Sequence, residues 1–218
     1  MHVSRSRSDS MDVWTRRITL ALTLFIRWFS AHWLLMANLA IALYAGLPIL
    51  APLLMHAGQE RAAAPNYWVF KLLCHQLPER SFFVFGRQWA YSYEELSRML
   101  GGSVPLRYIG NAEIGYKAAV CQRCQAIYLS MFLSGLFFAC VRHRMKPLPF
   151  KAFGLMLVPL GIDGLGQLFG LWVSSWQSRL ITGGLFGLAC VWLFFPYLAM
   201  GMQEISHETL NTLRQRGE

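Results

Sequence analysis

The sequence predicts an all-α, polytopic membrane protein with about four transmembrane helices and a long extramembrane loop between the first and the second. Two observations predict this class. Of the 218 residues, 55 % are hydrophobic and only 14 % are charged, which is too apolar for an ordinary soluble domain. Four stretches also approach the roughly 20 apolar residues that cross a bilayer. They are Trp33 to about Met55, Val120 to Val141, Phe150 to Val173 and Leu180 to Met202.

The basic residues predict the orientation of these segments. The net charge of +9 does not form one basic stripe or patch, so the expected partner is the lipid bilayer and no nucleic acid. Arginines precede the first segment, and Arg142, Arg144, Lys146 and Lys151 lie between the second and the third. The positive-inside rule therefore predicts a multi-pass protein of the plasma (inner) membrane with both termini in the cytoplasm and loop 56–119 outside.

The segments divide the chain into three expected parts. Residues 1–32 form a cytoplasmic or interfacial N-terminal segment, and residues 33–202 form a four-helix transmembrane domain that includes loop 56–119. Residues 203–218 form a short C-terminal surface tail.

Shorter helices are predicted on either side of the first segment. Aromatic residues mixed with arginines from Trp14 to Trp28 fit either a helix in the headgroup region or a cytoplasmic extension of the first transmembrane helix. In the loop, Tyr67–Leu73 is a short helix that ends near Pro78. Tyr93–Leu100 is a second one, because acidic residues open it and glycines follow it.

A CxxC pair, Cys121 and Cys124, marks the start of the second segment. Two cysteines with this spacing at a helix start can converge on one tetrahedral metal ion, close into a disulfide, or simply pack. The helix N-terminus and Arg123 favour the thiolate form. Cys74 and His75 supply the other half of a four-ligand set whose softness suits zinc, although adjacent side chains diverge and both bind one ion only where the backbone is irregular.

The third segment contains polar residues at membrane depth. Asp163 lies near its middle and Gln167 one turn further along. A carboxylate in the bilayer is costly when unpaired, so a cationic partner is expected, and Arg179 at the next helix boundary is the candidate. The pair is either a functional site or a polar clamp between helices. Two glycine pairs, Gly166 with Gly170 and Gly183 with Gly187, have the small-xxx-small spacing that lets helices approach closely.

Four ordered motifs resemble an uncharacterised family of prokaryotic membrane proteins, a domain of unknown function. They are a CHQ-x-PERSFF block at Cys74–Phe83, a CxRC block at Cys121–Cys124 leading to an Ile-Tyr pair, DGxxQ at Asp163–Gln167 and RxxTG at Arg179–Gly183. The resemblance covers roughly Cys74 to Gly187. It implies that the Cys, His, Arg, Asp and Gln positions, Arg80 and Arg123 among them, belong together. It supplies no function.

Three functions follow as hypotheses. The first is a zinc site at the outer membrane surface with Cys74, His75, Cys121 and Cys124 as ligands. The second is a membrane thiol–disulfide oxidoreductase that uses the CxxC, since four helices with this pair at an outer helix start resemble the quinone-linked disulfide oxidases. The third is a non-catalytic subunit or assembly factor of a membrane complex that docks through loop 91–117.

Overall fold

The computed structural model describes the backbone of residues 3–215 and the side chains of residues 14–215. The helices are α1 (Val3–His56), α2 (Glu60–Lys71), α3 (Tyr93–Leu100), α4 (Gln122–Val141), α5 (Phe150–Leu168) and α6 (Trp176–Gln215). A 3-10 turn at Pro78–Arg80 precedes the strands β1 (Ser81–Val84), β2 (Gly110–Asn111) and β3 (Gly115–Cys121). The three strands form one antiparallel sheet in the order β1-β3-β2.

The chain divides into two units. One consists of residues 1–37 and 196–218, and the other of residues 38–195. The first unit contains the stretch from Trp14 to Trp28, which is helical without a break as part of α1. The continuous helix favours an extension of the first transmembrane helix over a separate surface helix. All the predicted site residues belong to the second unit.

Three of the described helices are long and apolar enough to cross a membrane: Trp14–His56, Gln122–Val141 and Trp176–Gln215. This supports the prediction of a helical membrane protein, but the fourth predicted crossing is not confirmed. Residues 150–168 do form a helix, α5. Its mean hydropathy is lowered by Lys151, Pro159, Asp163, Gln167 and several glycines, so composition alone does not make it a span.

The small sheet in the loop was not predicted. β3 pairs with β1 through Ser81–Cys121 and Phe83–Lys117, and with β2 through a hairpin. Because β3 runs directly into α4, the predicted start of the second segment at Val120 was placed inside a strand. In contrast, the prediction of α3 is confirmed at both ends. The Ser92 hydroxyl accepts from the Glu95 N–H and the Glu95 carboxylate accepts from the Ser92 N–H, a capping box that fixes where the helix begins.

Two glycines let α6 pack closely against α4. A Cβ atom placed on Gly183 would lie 2.8 Å from the backbone oxygen of Arg123, and one on Gly187 would collide with the Ile127 oxygen and the Ser130 hydroxyl. Of the two small-xxx-small pairs predicted from the sequence, this one is thus a contact surface, where the absence of side chains brings the two backbones together. The other pair is not, because a Cβ atom on Gly166 would meet only the Trp172 side chain and one on Gly170 would meet nothing within 4 Å.

Gly183→Ala should lower the free energy of unfolding by about 1–3 kcal/mol, because its methyl group has to displace helix backbone. Gly184→Ala is the matched control, since nothing lies within 4 Å of a Cβ atom at the adjacent position. There the helix propensity of alanine should raise stability by about 0.5–1 kcal/mol. Thermal unfolding of both variants in detergent measures the difference. Equal melting temperatures would contradict the close α4–α6 contact.

Candidate metal site and adjoining polar network

Cys74 is held in place by the turn that ends α2. The N–H groups of Leu73 and Cys74 both donate to the Phe70 carbonyl oxygen. Two residues later, Gln76 adopts a positive φ of 53°, an uncommon conformation for a residue other than glycine. The buried side-chain amide of Gln76 donates to the Tyr67 carbonyl oxygen at 2.8 Å. This irregular turn buries Cys74 and leaves His75 exposed.

Lys117 completes the support of this turn from the sheet. Its side chain is 2 % exposed, and its ammonium group donates to the Gln76 carbonyl oxygen at 2.6 Å. The Tyr67 hydroxyl donates in return to the Lys117 carbonyl oxygen, also at 2.6 Å. Burial lowers the pKa of Lys117 from 10.5 to about 8. These contacts tie α2 and the Cys74 turn to β3.

Cys121 and Cys124 lie at the junction between β3 and α4. Cys121 is the last residue of β3 and the residue that precedes the first helical turn, and Cys124 lies in that turn. The backbone N–H of Cys121 donates to the Cys74 sulfur at 3.2 Å. The Sγ atoms of all three cysteines lie within 4.8 Å of one another. The structure therefore brings together three of the four predicted ligands.

The surroundings favour a thiolate at Cys74. The neighbouring thiols of Cys121 and Cys124, with the Cys121 N–H, hold the pKa of Cys74 well below its usual range, against the opposing effect of burial. The three sulfurs otherwise face an apolar cluster that includes Phe70, Ala119 and Val120. A negative sulfur in such a setting is a strong ligand for a soft cation.

Two tyrosines, one from α1 and one from α4, border the cluster. Tyr44 of α1 packs against the apolar cluster, and its ring lies 4.2 Å from that of Tyr128 on α4, centroid to centroid. Tyr128 is one turn further into α4 than Cys124. Sequence reasoning did not identify either residue as part of the site, although Tyr128 belongs to the Ile-Tyr pair that follows the CxRC block.

His75 is not part of the sulfur cluster. In the described part of the chain, the group of side chains able to share one metal ion consists of the three cysteines alone. Because Gln76 turns the backbone away, the imidazole is exposed while the preceding thiol is buried. The geometry thus supplies three protein ligands and leaves one tetrahedral position without a protein ligand.

A network of charged and polar side chains adjoins the cysteines. Arg123 forms an ion pair with Asp163 of α5. The Ser174 hydroxyl donates to the Asp163 carboxylate at 2.8 Å, and the Ser178 hydroxyl donates to it at 3.0 Å. The prediction that Arg179 is the cationic partner of Asp163 is therefore wrong, because Arg123 forms this ion pair. Gln167 is half-buried and forms no side-chain hydrogen bond with the residues that the structure describes.

Arg179 instead joins α6 to the start of α4. It is 5 % exposed, and its Nη1 donates to the Gln122 side-chain oxygen at 2.8 Å and to the Glu79 carbonyl oxygen at 3.5 Å. The amide nitrogen of Gln122 donates to the Ser81 carbonyl oxygen at 3.0 Å. Gln122 and the two serines were missed. Gln122 could have been identified, because it lies within the CxRC block. Nothing in the sequence around the two serines distinguishes them from ordinary turn residues.

Asp163→Asn should lower the free energy of unfolding by about 3–5 kcal/mol, because it leaves Arg123 as an unpaired, mostly buried charge. The double variant Arg123→Gln with Asp163→Asn should recover most of that loss. The exposed ion pair between Arg87 and Glu113 is the control, and Arg87→Gln should cost less than about 1 kcal/mol. Chemical unfolding in mixed micelles measures these free energies. If the loss in the double variant equals the sum of the losses in the two single variants, Arg123 and Asp163 do not stabilise the protein as a pair.

Comparisons with known proteins agree with this description of a membrane protein. The family described as "Predicted membrane protein (DUF2085)" matches residues 113–193, which include Cys121, Cys124, Asp163 and Arg179. An uncharacterized protein of Methanocaldococcus jannaschii is 28 % identical over 158 residues, 67 % of this chain and 80 % of that protein. No solved structure matches the chain. The comparisons confirm the predicted resemblance to an uncharacterised family of prokaryotic membrane proteins.

Proposed function

We propose that this chain is an integral membrane protein that binds zinc at its outer surface through the thiolates of Cys74, Cys121 and Cys124. The observation that carries the proposal is the convergence of three sulfurs within 4.8 Å, with the Cys121 N–H donating to Cys74. Zinc–sulfur bonds of about 2.3 Å in a tetrahedral arrangement need sulfurs a little under 4 Å apart, which the cluster accommodates.

A metal in this position would connect two parts of the chain that are distant in sequence. Cys74 follows α2, whereas the other two ligands belong to the β3–α4 junction. Through them the extramembrane loop would be attached to the outer end of a transmembrane helix. A zinc ion bound by three thiolates supplies a Lewis-acidic fourth position for water or another ligand. Around that position, Tyr44 and Tyr128 limit access.

Thiol–disulfide exchange is the rival function. Cys74 lies close enough to the CxxC pair to act as a third, resolving thiol. The two functions differ in the resting state of the protein. A zinc site holds three thiolates and a stoichiometric metal, whereas an oxidoreductase isolated without reductant holds a disulfide and no metal.

We also propose that α5 is a fourth membrane crossing. Near its start, Ala152, Phe153 and Met156 pack against Ala189 and Leu193 of α6. Near its end, Asp163 reaches the first turn of α4. The helix from residue 150 to residue 163 rises about 20 Å, so α5 runs beside its neighbours over most of the bilayer depth. Both termini would then lie in the cytoplasm, with the plasma membrane as the location. Loop 91–117 stays a predicted docking surface for other subunits.

Elemental mass spectrometry of the purified protein should find about one zinc per chain. Replacing Cys74, Cys121 or Cys124 with serine should abolish the zinc, because two thiolates and water hold it too weakly. Cys140→Ser and Cys190→Ser are matched controls that should keep it, since neither thiol belongs to the cluster. His75→Ala should keep it as well. No zinc in the wild type, together with two thiols that react only after reduction, would reject the metal site in favour of thiol–disulfide exchange.

Reporter fusions should place the two ends of α5 on opposite sides of the membrane. A fusion that ends at Lys146 should give a fluorescent cytoplasmic reporter and an inactive alkaline phosphatase, and one that ends at Ser175 should give the reverse. A third fusion, after Gly201 in α6, controls for insertion of the following helix. The same reporter activity at Lys146 and Ser175 would show that α5 does not cross.

A further inference from the structure

A second site lies beside the first turn of α4. An open cavity of about 580 Å³ is bordered by the 3-10 turn, α3 and the first turns of α4 and α6. Its volume falls within the range of ligand-binding clefts, about 300–1,000 Å³. No cysteine lines it, and the proposed zinc site does not use it. Among its lining residues are side chains of both charges: Glu79, Arg80, Glu94, Glu95 and Arg179.

The opposite charges around this cavity do not pair with one another. The Arg80 guanidinium and the carboxylates of Glu79 and Glu94 form no ion pair within the part of the chain that the structure describes. Glu95 differs, because its carboxylate accepts from the Ser92 N–H in the capping box. Unpaired charges of both signs that face one cavity are suited to a ligand that itself carries both charges.

Arg179 provides a fixed cation at the floor of the cavity. Its Nη1 is held by Gln122, so the guanidinium cannot swing away. Its Nε is buried and has no hydrogen-bond partner. The protein itself thus leaves one donor of this guanidinium group unsatisfied. Arg80 lines the same cavity and lies near enough for the two guanidinium charges to repel each other, an unfavourable arrangement that an anion would relieve.

The position of the cavity indicates where the ligand comes from. Gln122 and Trp176, the first residues of two candidate spans, both line it. Val173, 89 % exposed, lines it as well, and Trp176 is 43 % exposed. Tryptophan is enriched where the hydrocarbon of a bilayer meets the headgroups. The opening is thus at the level of the phospholipid headgroups, with apolar side chains at its edge.

We propose that this cavity binds a phosphoethanolamine group, the zwitterionic headgroup of an amine-bearing phospholipid. Arg80 and Arg179 bind the phosphate, and the carboxylates of Glu79 and Glu94 accept hydrogen bonds from the ammonium group. The acyl chains leave along Val173 and Trp176. The site is independent of the cysteine cluster, although the first turn of α4 contributes to both.

Native mass spectrometry of the detergent-purified full chain with dioleoyl lipids tests the proposal. Phosphatidylethanolamine should bind about tenfold more tightly than phosphatidylcholine, whose quaternary amine has no N–H to donate, or phosphatidylglycerol, which has no amine. Soluble glycerophosphoethanolamine identifies the source. If it competes only at much higher concentration than the lipid, the natural ligand is the lipid. If it binds equally well, the phosphoethanolamine site stands and the ligand is a soluble ester.

Charge-neutralising variants locate the binding. Arg80→Gln and Glu94→Gln should each weaken phosphatidylethanolamine binding about tenfold, because each removes a charge-assisted hydrogen bond. Neither residue is needed for an ion pair in the described chain, so neither variant should lower the melting temperature or the zinc content. Arg107→Gln and Glu113→Gln, which remove exposed charges outside the cavity, should leave binding unchanged. Equal binding of all three lipids, or cavity variants that bind like the controls, would overturn the proposal.

Discussion

The first turn of α4 is the constraint on which the rest of the second unit depends. Successive residues of a helix point about 100° apart, so neighbouring side chains at its start face different parts of the protein. Cys121 and Cys124 meet Cys74 from the loop. Gln122 bridges β1 and Arg179, and Arg123 pairs with Asp163. Four consecutive residues thereby contact the segment between α1 and α4, as well as α5 and α6.

The same turn of α4 also holds α5, the helix that carries Asp163, against its neighbours. The apolar surface of α5 is interrupted by the polar side chains of Asp163 and Gln167. The ion pair between Asp163 and Arg123 is worth more away from bulk water, because each partner is costly to leave alone there. The hydroxyls of Ser174 and Ser178 satisfy the remaining carboxylate positions. The glycines of α6 bring its backbone against α4 close to the same turn.

Hydropathy and turn chemistry predicted the helices, because both are properties of short stretches. α3 was predicted at both ends, since its capping box and terminal glycine act locally. The sheet was missed because β1 and β3 pair across more than thirty residues, and the apolar end of β3 looks like the beginning of α4. The predicted ion-pair partner of Asp163 was Arg179, the nearer arginine in sequence, whereas its actual partner, Arg123, comes from an earlier helix. Residue order does not determine such pairings, which depend on how the helices pack.

Among the candidate metal ligands, some could be predicted from the sequence and one could not. The CxxC pair and Cys74 could be selected from the sequence, since their chemistry and spacing are recognisable. The position of His75 outside the cysteine cluster could not be predicted. It depends on the positive φ of Gln76 and on a buried lysine of the sheet that holds this turn in place. The cavity beside α3 could not be predicted from the sequence either, because its charged residues come from three separated segments.

X-ray absorption spectroscopy at the zinc edge of the purified protein tests directly whether the three cysteines bind one zinc ion, because it reports the identity and distance of the ligands. We expect three sulfur atoms at about 2.3 Å and one oxygen or nitrogen at about 2.0–2.1 Å. A shell made only of oxygen and nitrogen, or a preparation without zinc, would contradict the claim that the first turn of α4 and Cys74 share one metal ion.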